Sequence, residues 1–202
     1  MVQYDYTTFR GIKMSNFFAY MSRMKYIKRW SLMRSTTDEN ILEHSAEVAQ
    51  FAHALALIGN KYFDKSLNAD RIGMMGLYHE TSEVITGDLP TPVKYYNPEI
   101  KSAYKAIEKV ANDKLIGMLP EELKSDYTQL IEPCDYECKL VKAADKLSAY
   151  CKCIEEVKCG NGEFKKAQKS LKATLDSYNL PEVKYFLDNF IPAYSKTLDE
   201  LD

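Results

Sequence analysis

Apolar positions recur at three- and four-residue steps along most of the chain, and no convincing run of alternating β-branched residues interrupts them. Phe17, Phe18, Met21, Met24 and Ile27 form the first such set, with Ser15 or Asn16 placed to cap it. A second helix is predicted from near Asn40 to the Gly59-Asn60 pair, a helix-ending signal, with His44, Val48, Phe51, Leu55 and Ile58 on its stripe. A third starts after Asn68 and carries Ile72, Met75, Gly76, His79 and Glu83 on one face. Gly87-Asp88-Leu89-Pro90-Thr91-Pro92 reads as a loop with a restrained backbone. Asn97-Pro98 opens a fourth helix, Pro120 followed by Glu121 and Glu122 a shorter one. A long helix is expected from about Asp135 to Val157, ending near Gly160-Asn161-Gly162, with two more stretches near 163–178 and after Pro181. The fold class is therefore all-α, a single helical bundle over residues 1–202.

Composition narrows the function classes. The 202 residues hold 27 Lys plus Arg against 29 Asp plus Glu, a net charge of -2, which argues against a binder of nucleic-acid polymers. Apolar residues at 46% and charged residues at 28% suit a globular chain with a sizeable core. No apolar stretch approaches the ~18–20 residues that cross a bilayer. The start, MVQYDYTTFRGIKMSNFF, lacks the basic and apolar regions of a secretion signal, so the expected location is cytoplasmic. The five cysteines (134, 138, 151, 153 and 159) are odd in number and make no paired CxxC set, so reduced cysteines are expected.

The informative positions are ionisable groups on otherwise apolar faces, because burying them is costly unless they are paired or hold a metal. His44 heads the stripe of the second helix. His79 and Glu83 lie on that of the third, and Glu80 follows His79 directly. Asp145 sits among Val141, Ala144 and Ser148. Two imidazoles with carboxylates suit a divalent first-row cation, which would activate water at neutral pH. His53, nine residues after His44, falls on the opposite helix face and is left out. His79-Glu80-Thr81-Ser82-Glu83 begins like the zinc-protease HExxH pattern but ends in Glu, so that reading fails. Neither a GxxxxGK[ST] loop nor a GxGxxG fingerprint is present.

His44, then His79 with an adjacent acid, then Asp145 on a later helix, resembles the HD-domain metal-dependent phosphohydrolases. The segments IKRWSLMR (27–34), EHSAEVAQFAHALA (43–56), YHETSEVITGDLPTPVKYYN (78–97), YKAIEK (104–109) and LVKAADKLSAYCKC (140–153) are similar to the bacterial HD-domain 5'-deoxynucleotidases of the YfbR type, over roughly residues 14–200.

That resemblance implies an HD-domain bundle that removes the 5'-phosphate from deoxyribonucleoside monophosphates, with broad base tolerance. It implies one divalent ion (Co²⁺, Mn²⁺ or Zn²⁺) on His44, His79, Glu80 and Asp145. It makes Arg29 the residue that orients the phosphate and Trp30 the one beside the sugar that disfavours a 2'-hydroxyl. Glu83 and Asp88 become the candidate active-site acids, and Asp88, Leu89, Pro90 and Thr91 the substrate-contact loop. It also implies a homodimer. The apolar stretch VKYFLDNFIPAY is placed either to form a helix contact or to close the chain's own core. The family's acid after the second histidine is Asp, whereas this chain has Glu80, one methylene longer. Two alternatives stand beside this reading: a nucleotide-binding homologue with little activity because Glu80 replaces that Asp, and an HD-type phosphodiesterase. The second would be expected to show an additional histidine pair, and the chain holds three histidines in all.

Overall fold

Asn40 starts the central helix. Its side-chain oxygen accepts from the Leu42 and Glu43 amides, both at 3.0 Å, while the Glu43 carboxylate accepts from the Asn40 amide at 3.1 Å. In the computed structural model, which describes residues 14–94, 96–132 and 136–201, this helix is preceded by α1 (Phe17–Met21). The central helix is α2 (Ile41–Tyr62), followed by α3 (Ala69–Tyr78), α4 (Glu83–Thr86), α5 (Thr91–Lys94) and α6 (Pro98–Ile116). The rest comprises α7 (Glu121–Ile131), α8 (Tyr136–Lys158), α9 (Lys165–Ser177) and α10 (Pro181–Asn189), with short 3₁₀ turns between. Among the described residues regular structure is helical, apart from one isolated antiparallel bridge pairing Lys28 with Asn40. The fold class is all-α. Residues 1–13, Tyr95, 133–135 and 202 lie outside the described residues, so the chain start, Cys134 and the expected helix start at Asp135 are not placed.

The expected α2 stripe is buried as a whole: His44, Val48, Phe51, Leu55 and Ile58. It packs on α3, α8 and α10 in one core with Ile72, Met75, Leu147 and Phe186. A second core gathers Phe17, Met21, Met24 and Ile41 against Leu115, Leu119 and Ile131. His44 falls one turn after Ile41 and one before Val48, where the two cores meet.

Three elements depart from expectation. The first helix is α only to Met21 and continues as a 3₁₀ turn over Ser22–Tyr26, leaving Phe18 exposed. Helix α2 passes through Gly59-Asn60 to Tyr62. A Cβ on Gly59 would lie 3.0 Å from Glu182 Oε1, so this glycine serves packing. Asn60 grips Leu67 through both its amide oxygen, at 2.8 Å, and its nitrogen, at 2.9 Å. Thr91-Pro92, expected as loop, begins α5. The C-terminal stretch closes the chain's own core, with Val183, Phe186 and Ile191 buried in it. Cys138, Cys151, Cys153 and Cys159 are free thiols. Among the described residues no helix is long and apolar enough to cross a membrane.

The segment between the 3₁₀ turn and α2, which carries Arg29 and Trp30, is held from α8. Glu156, fully buried, accepts from the Thr36 amide (2.9 Å), the Thr36 hydroxyl (2.9 Å), Asn161 Nδ2 (2.8 Å) and Lys152 Nζ (2.5 Å). Lys152 also donates to the Thr37 carbonyl at 2.7 Å. Burial alone would raise the Glu156 carboxyl, but the Lys152 ammonium and the other donors hold it down at about 2. Glu156→Ala leaves Lys152 buried without its anion and is expected to cost about 3–5 kcal/mol in urea unfolding at neutral pH. The parent's advantage should be complete above about 4.5, the ordinary carboxyl value, and should vanish as pH falls through that value toward about 2.

Candidate metal centre and active site

Gly76 sets the distance between α2 and α3. A Cβ there would lie 2.9 Å from Ala49 Cα and 3.0 Å from both Ala49 N and Val48 O, so only glycine lets the two backbones approach this closely. The result is a His44–His79 ring separation of 5.2 Å. Helix α3 ends at Tyr78 with His79 as its cap, so His79 and Glu83 do not share one continuous helix as expected. The Thr81 hydroxyl donates back to the Tyr78 carbonyl at 2.6 Å, and three-residue turns follow until α4 begins. Helix α8 supplies Asp145 from its buried side.

The two imidazoles are oriented from behind. His79 Nδ1 lies 2.7 Å from the Gly76 carbonyl, which only accepts, so Nδ1 carries the proton. His44 Nδ1 lies 2.9 Å from the Ser148 hydroxyl. The Nε2 atoms of both rings are buried and make no hydrogen bond. His44 Nε2 faces Asp145 Oδ1 at 3.2 Å, and His79 Nε2 faces Glu80 Oε1 at 3.3 Å. One ligand-capable atom from each of the four residues lies within 4.8 Å of the others. Imidazole lone pairs set against carboxylates at this depth are costly, and a cation removes the cost. The donor set fits a divalent first-row ion.

Charge within the cluster is strongly biased. Burial works against ionising Asp145, yet Lys146, whose ammonium lies 2.8 Å from its Oδ2, and then His44 and His79 hold it well below the usual carboxylate range. Burial also opposes ionised Glu80, and the His79 charge brings it down to about 2. His79 is raised because Glu80 and Asp145 outweigh burial. His44, 1% exposed, is lowered by burial and then by the Arg29 charge. Glu83, 4% exposed, is pushed up by burial and by neighbouring Glu80, which favours its protonated form.

Arg29 and Trp30 approach from the segment ahead of α2. The Arg29 amide donates to the Glu39 carbonyl at 2.9 Å, and the Ile41 amide to the Ile27 carbonyl at 3.0 Å. Glu39 Oε2 accepts from both Arg29 Nε (3.1 Å) and Trp30 Nε1 (2.7 Å). Arg29 Nη1 lies 4.0 Å from Glu80 Oε1, which places the guanidinium at the cluster's edge. Trp30 has φ +58°, a left-handed conformation that a bulky side chain keeps only when its surroundings hold it. Here Glu39 holds the indole N–H, and the ring leans on buried Phe164 with centroids 5.3 Å apart.

Gly87, at φ +72°, ends α4 in a conformation that favours glycine. Its carbonyl accepts from the Thr86 hydroxyl at 3.0 Å and the Tyr104 hydroxyl at 3.3 Å. Asp88 follows, half-buried, its carboxyl raised by burial while Arg29 opposes the rise. Leu89 and Pro90, half-buried, and Thr91, exposed, continue the chain into α5. His53 lies at the surface, with Nε2 3.4 Å from Asp70 Oδ1. The structure thus brings together His44, His79, Glu80 and Asp145, with Arg29, Glu83 and Asp88 close enough to act on their charge. Sequence reasoning missed Glu39, which lies ten residues from Arg29 in a non-helical segment with no periodicity to betray it.

The fold is that of the HD-domain phosphohydrolases. An HD-domain phosphohydrolase of Listeria innocua superposes on 89% of this chain and 88% of its own at a TM-score of 0.78, with 24% identity. The HD phosphohydrolase of cyanophage S-2L, solved with dA and one catalytic Zn²⁺ ion, matches 90% of this chain and 99% of its own at a TM-score of 0.57, with 19% identity. Sequence resolves the family. The profile of the YfbR-like 5'-deoxynucleotidases matches residues 16–194, and a 5'-deoxynucleotidase of Photobacterium profundum is 53% identical over 192 residues, covering 93% of this chain and 98% of that relative. The chain belongs to the YfbR-like 5'-deoxynucleotidase family.

Proposed function

We propose that this chain is a divalent-metal-dependent 5'-deoxynucleotidase that hydrolyses deoxyribonucleoside 5'-monophosphates to deoxynucleosides and phosphate, with little selection for base. The observation that carries the reading is the pair of buried, unpartnered Nε2 atoms on His44 and His79, aimed at Asp145 and Glu80 beside the Arg29 guanidinium. Family membership supports it, as do the dA and Zn²⁺ held by the cyanophage enzyme.

His44, His79, Glu80 and Asp145 would hold the ion, with Co²⁺, Mn²⁺ and Zn²⁺ suited to two imidazoles and two carboxylates. When bound, it would supply Lewis-acid activation of water and neutralise phosphate charge. Arg29 presents the terminal nitrogens of its fork to the phosphate while Glu39 fixes its Nε. Water adds to phosphorus as the bond to the 5'-oxygen breaks; that oxygen takes a proton from an acid of the site, and a proton of the added water returns to that acid as phosphate leaves. Glu83, buried and with its carboxyl raised by burial and by Glu80, is the favoured donor. Asp88 is left to orient substrate or water. The longer Glu80 side chain still places an oxygen within the four-atom cluster, which supports turnover rather than binding alone.

Trp30, set by Glu39 and Phe164, would pack against the sugar where a 2'-hydroxyl would stand. An apolar wall rejects one added hydroxyl by up to about a hundredfold. The parent is expected to release phosphate from deoxyadenosine 5'-monophosphate in preference to the ribonucleotide by a ratio of that order. Trp30→Ala should bring the two kcat/KM values within a few-fold of each other. An unchanged ratio would remove Trp30 from the account. A monophosphate product from a cyclic dinucleotide or nucleotide, with no phosphate released from the monoester, would favour the phosphodiesterase alternative instead.

A further inference from the structure

We infer that Ser148 and Glu47 are positioning residues that lock His44 in the tautomer a metal needs, and so raise the affinity of the centre for its cation. The inference rests on the metal-centre reading above. The Ser148 hydroxyl lies 2.6 Å from Glu47 Oε2, and a carboxylate only accepts, so the single hydroxyl hydrogen points to Glu47. The same oxygen lies 2.9 Å from His44 Nδ1 and must accept there, which places the imidazole proton on Nδ1. Nε2 is left as a lone pair facing the cluster.

The competing tautomer has a built-in attraction. Nε2 lies 3.2 Å from Asp145 Oδ1, so a proton there would be drawn to that carboxylate and pair two ligands with each other. Ser148 and Glu47 oppose that state from the far side of the ring. They belong to the helices that carry the ligands: Glu47 is one turn from His44 on α2, and Ser148 one turn from Asp145 on α8. Ser148 and His44 are buried, so water does not offer the Nδ1–H a substitute acceptor. Neither Ser148 nor Glu47 touches the substrate side of the proposed mechanism. Outer partners of metal-bound histidines act by this kind of orientation.

The test uses metal-stripped parent, Ser148→Ala, Glu47→Gln and His79→Ala proteins, titrated with Mn²⁺ and Zn²⁺ by calorimetry. The ¹⁵N histidine spectrum of each metal-free protein is recorded alongside. Ser148→Ala is expected to weaken metal binding by about 10–100-fold and to move the His44 proton from Nδ1 toward Nε2. Glu47→Gln keeps an acceptor for the hydroxyl and should weaken binding by a smaller factor, which covers the case in which Ser148→Ala misfolds. A merely structural pair would shift thermal stability while metal affinity and tautomer stayed at parental values, and that result overturns the inference. Parent protein that binds neither ion, indistinguishable from His79→Ala, would overturn the metal-centre reading and this inference with it. Parent binding matched by both Ser148→Ala and Glu47→Gln would overturn only the inference.

Discussion

Phosphate release from deoxyadenosine 5'-monophosphate is expected to fall by at least about a thousandfold when Asp145 becomes asparagine, since losing a direct ligand should exceed the 10–100-fold cost of losing an outer partner. Asparagine keeps the shape and removes the anion. Asp145 is the one acid of the cluster delivered by α8, facing His44 Nε2 at 3.2 Å, and no other carboxylate of that helix belongs to the group. Its charge also holds up the affinity of His79 for a proton, so its loss weakens the electrostatic pull on any cation at that point. The surrounding α8 positions, Val141, Ala144 and Leu147, are packed in the core and untouched by the change. Circular dichroism and the thermal unfolding of the metal-free proteins should therefore match while bound metal and turnover collapse together. Turnover lost with metal content unchanged would assign Asp145 to the chemistry rather than to holding the ion.

Arg29→Ala is the second large effect, expected to lower kcat/KM by about 10²–10³, the range for removing one preorganised donor to a developing anion. The arginine is clamped before substrate arrives: Glu39 accepts from its Nε, the backbone bridge to residues 39–41 fixes its Cα, and burial limits its motion. Its charge is sustained by Glu39, Asp145, Glu80 and Asp88 against the cost of burial. Arg29→Lys keeps the charge but loses the planar fork and the Nε contact to Glu39, so it should recover only part of the loss. The loss should appear in kcat as well as KM, because phosphate charge grows on the oxygens the fork holds. A rise in KM alone would reduce Arg29 to a ground-state contact. Added salt should leave the ratio of parent to variant kcat/KM nearly unchanged, since the parent's guanidinium is enclosed rather than solvent-screened.

Much of this arrangement was written in periodicity. The α2 stripe is buried where its four- and three-residue steps placed it, and the unexpected His44 within that stripe marked the site. Asp145 stood out for the same reason, a charge in an apolar and small-residue face. Where helical periodicity stops, the local pattern no longer encodes the structure. Periodicity places His79 and Glu83 on one helical face, but the Thr81 hydroxyl bonds back to Tyr78 and the helix ends between them. Gly59-Asn60 carries the local chemistry of a helix end, yet Glu182 and Leu67 use those residues for packing and a side-chain clasp, and the helix runs on. Glu39 and Phe164 reach Arg29 and Trp30 through tertiary contacts spanning up to more than a hundred residues, which no local pattern encodes. Ser148 lay in view as a neighbour of Asp145, but its link to Glu47 and His44 exists only once α2 and α8 are packed.

The account is tested most directly by stripping the protein of metal and measuring phosphate release from deoxyadenosine 5'-monophosphate as Co²⁺, Mn²⁺, Zn²⁺ and Mg²⁺ are each added back, with Asp145→Asn alongside. The account predicts no release from the stripped protein, recovery with at least one of the first-row ions, and none in the variant. Folded parent protein that releases no phosphate with any of the four ions, or that releases it equally with and without metal, would contradict it.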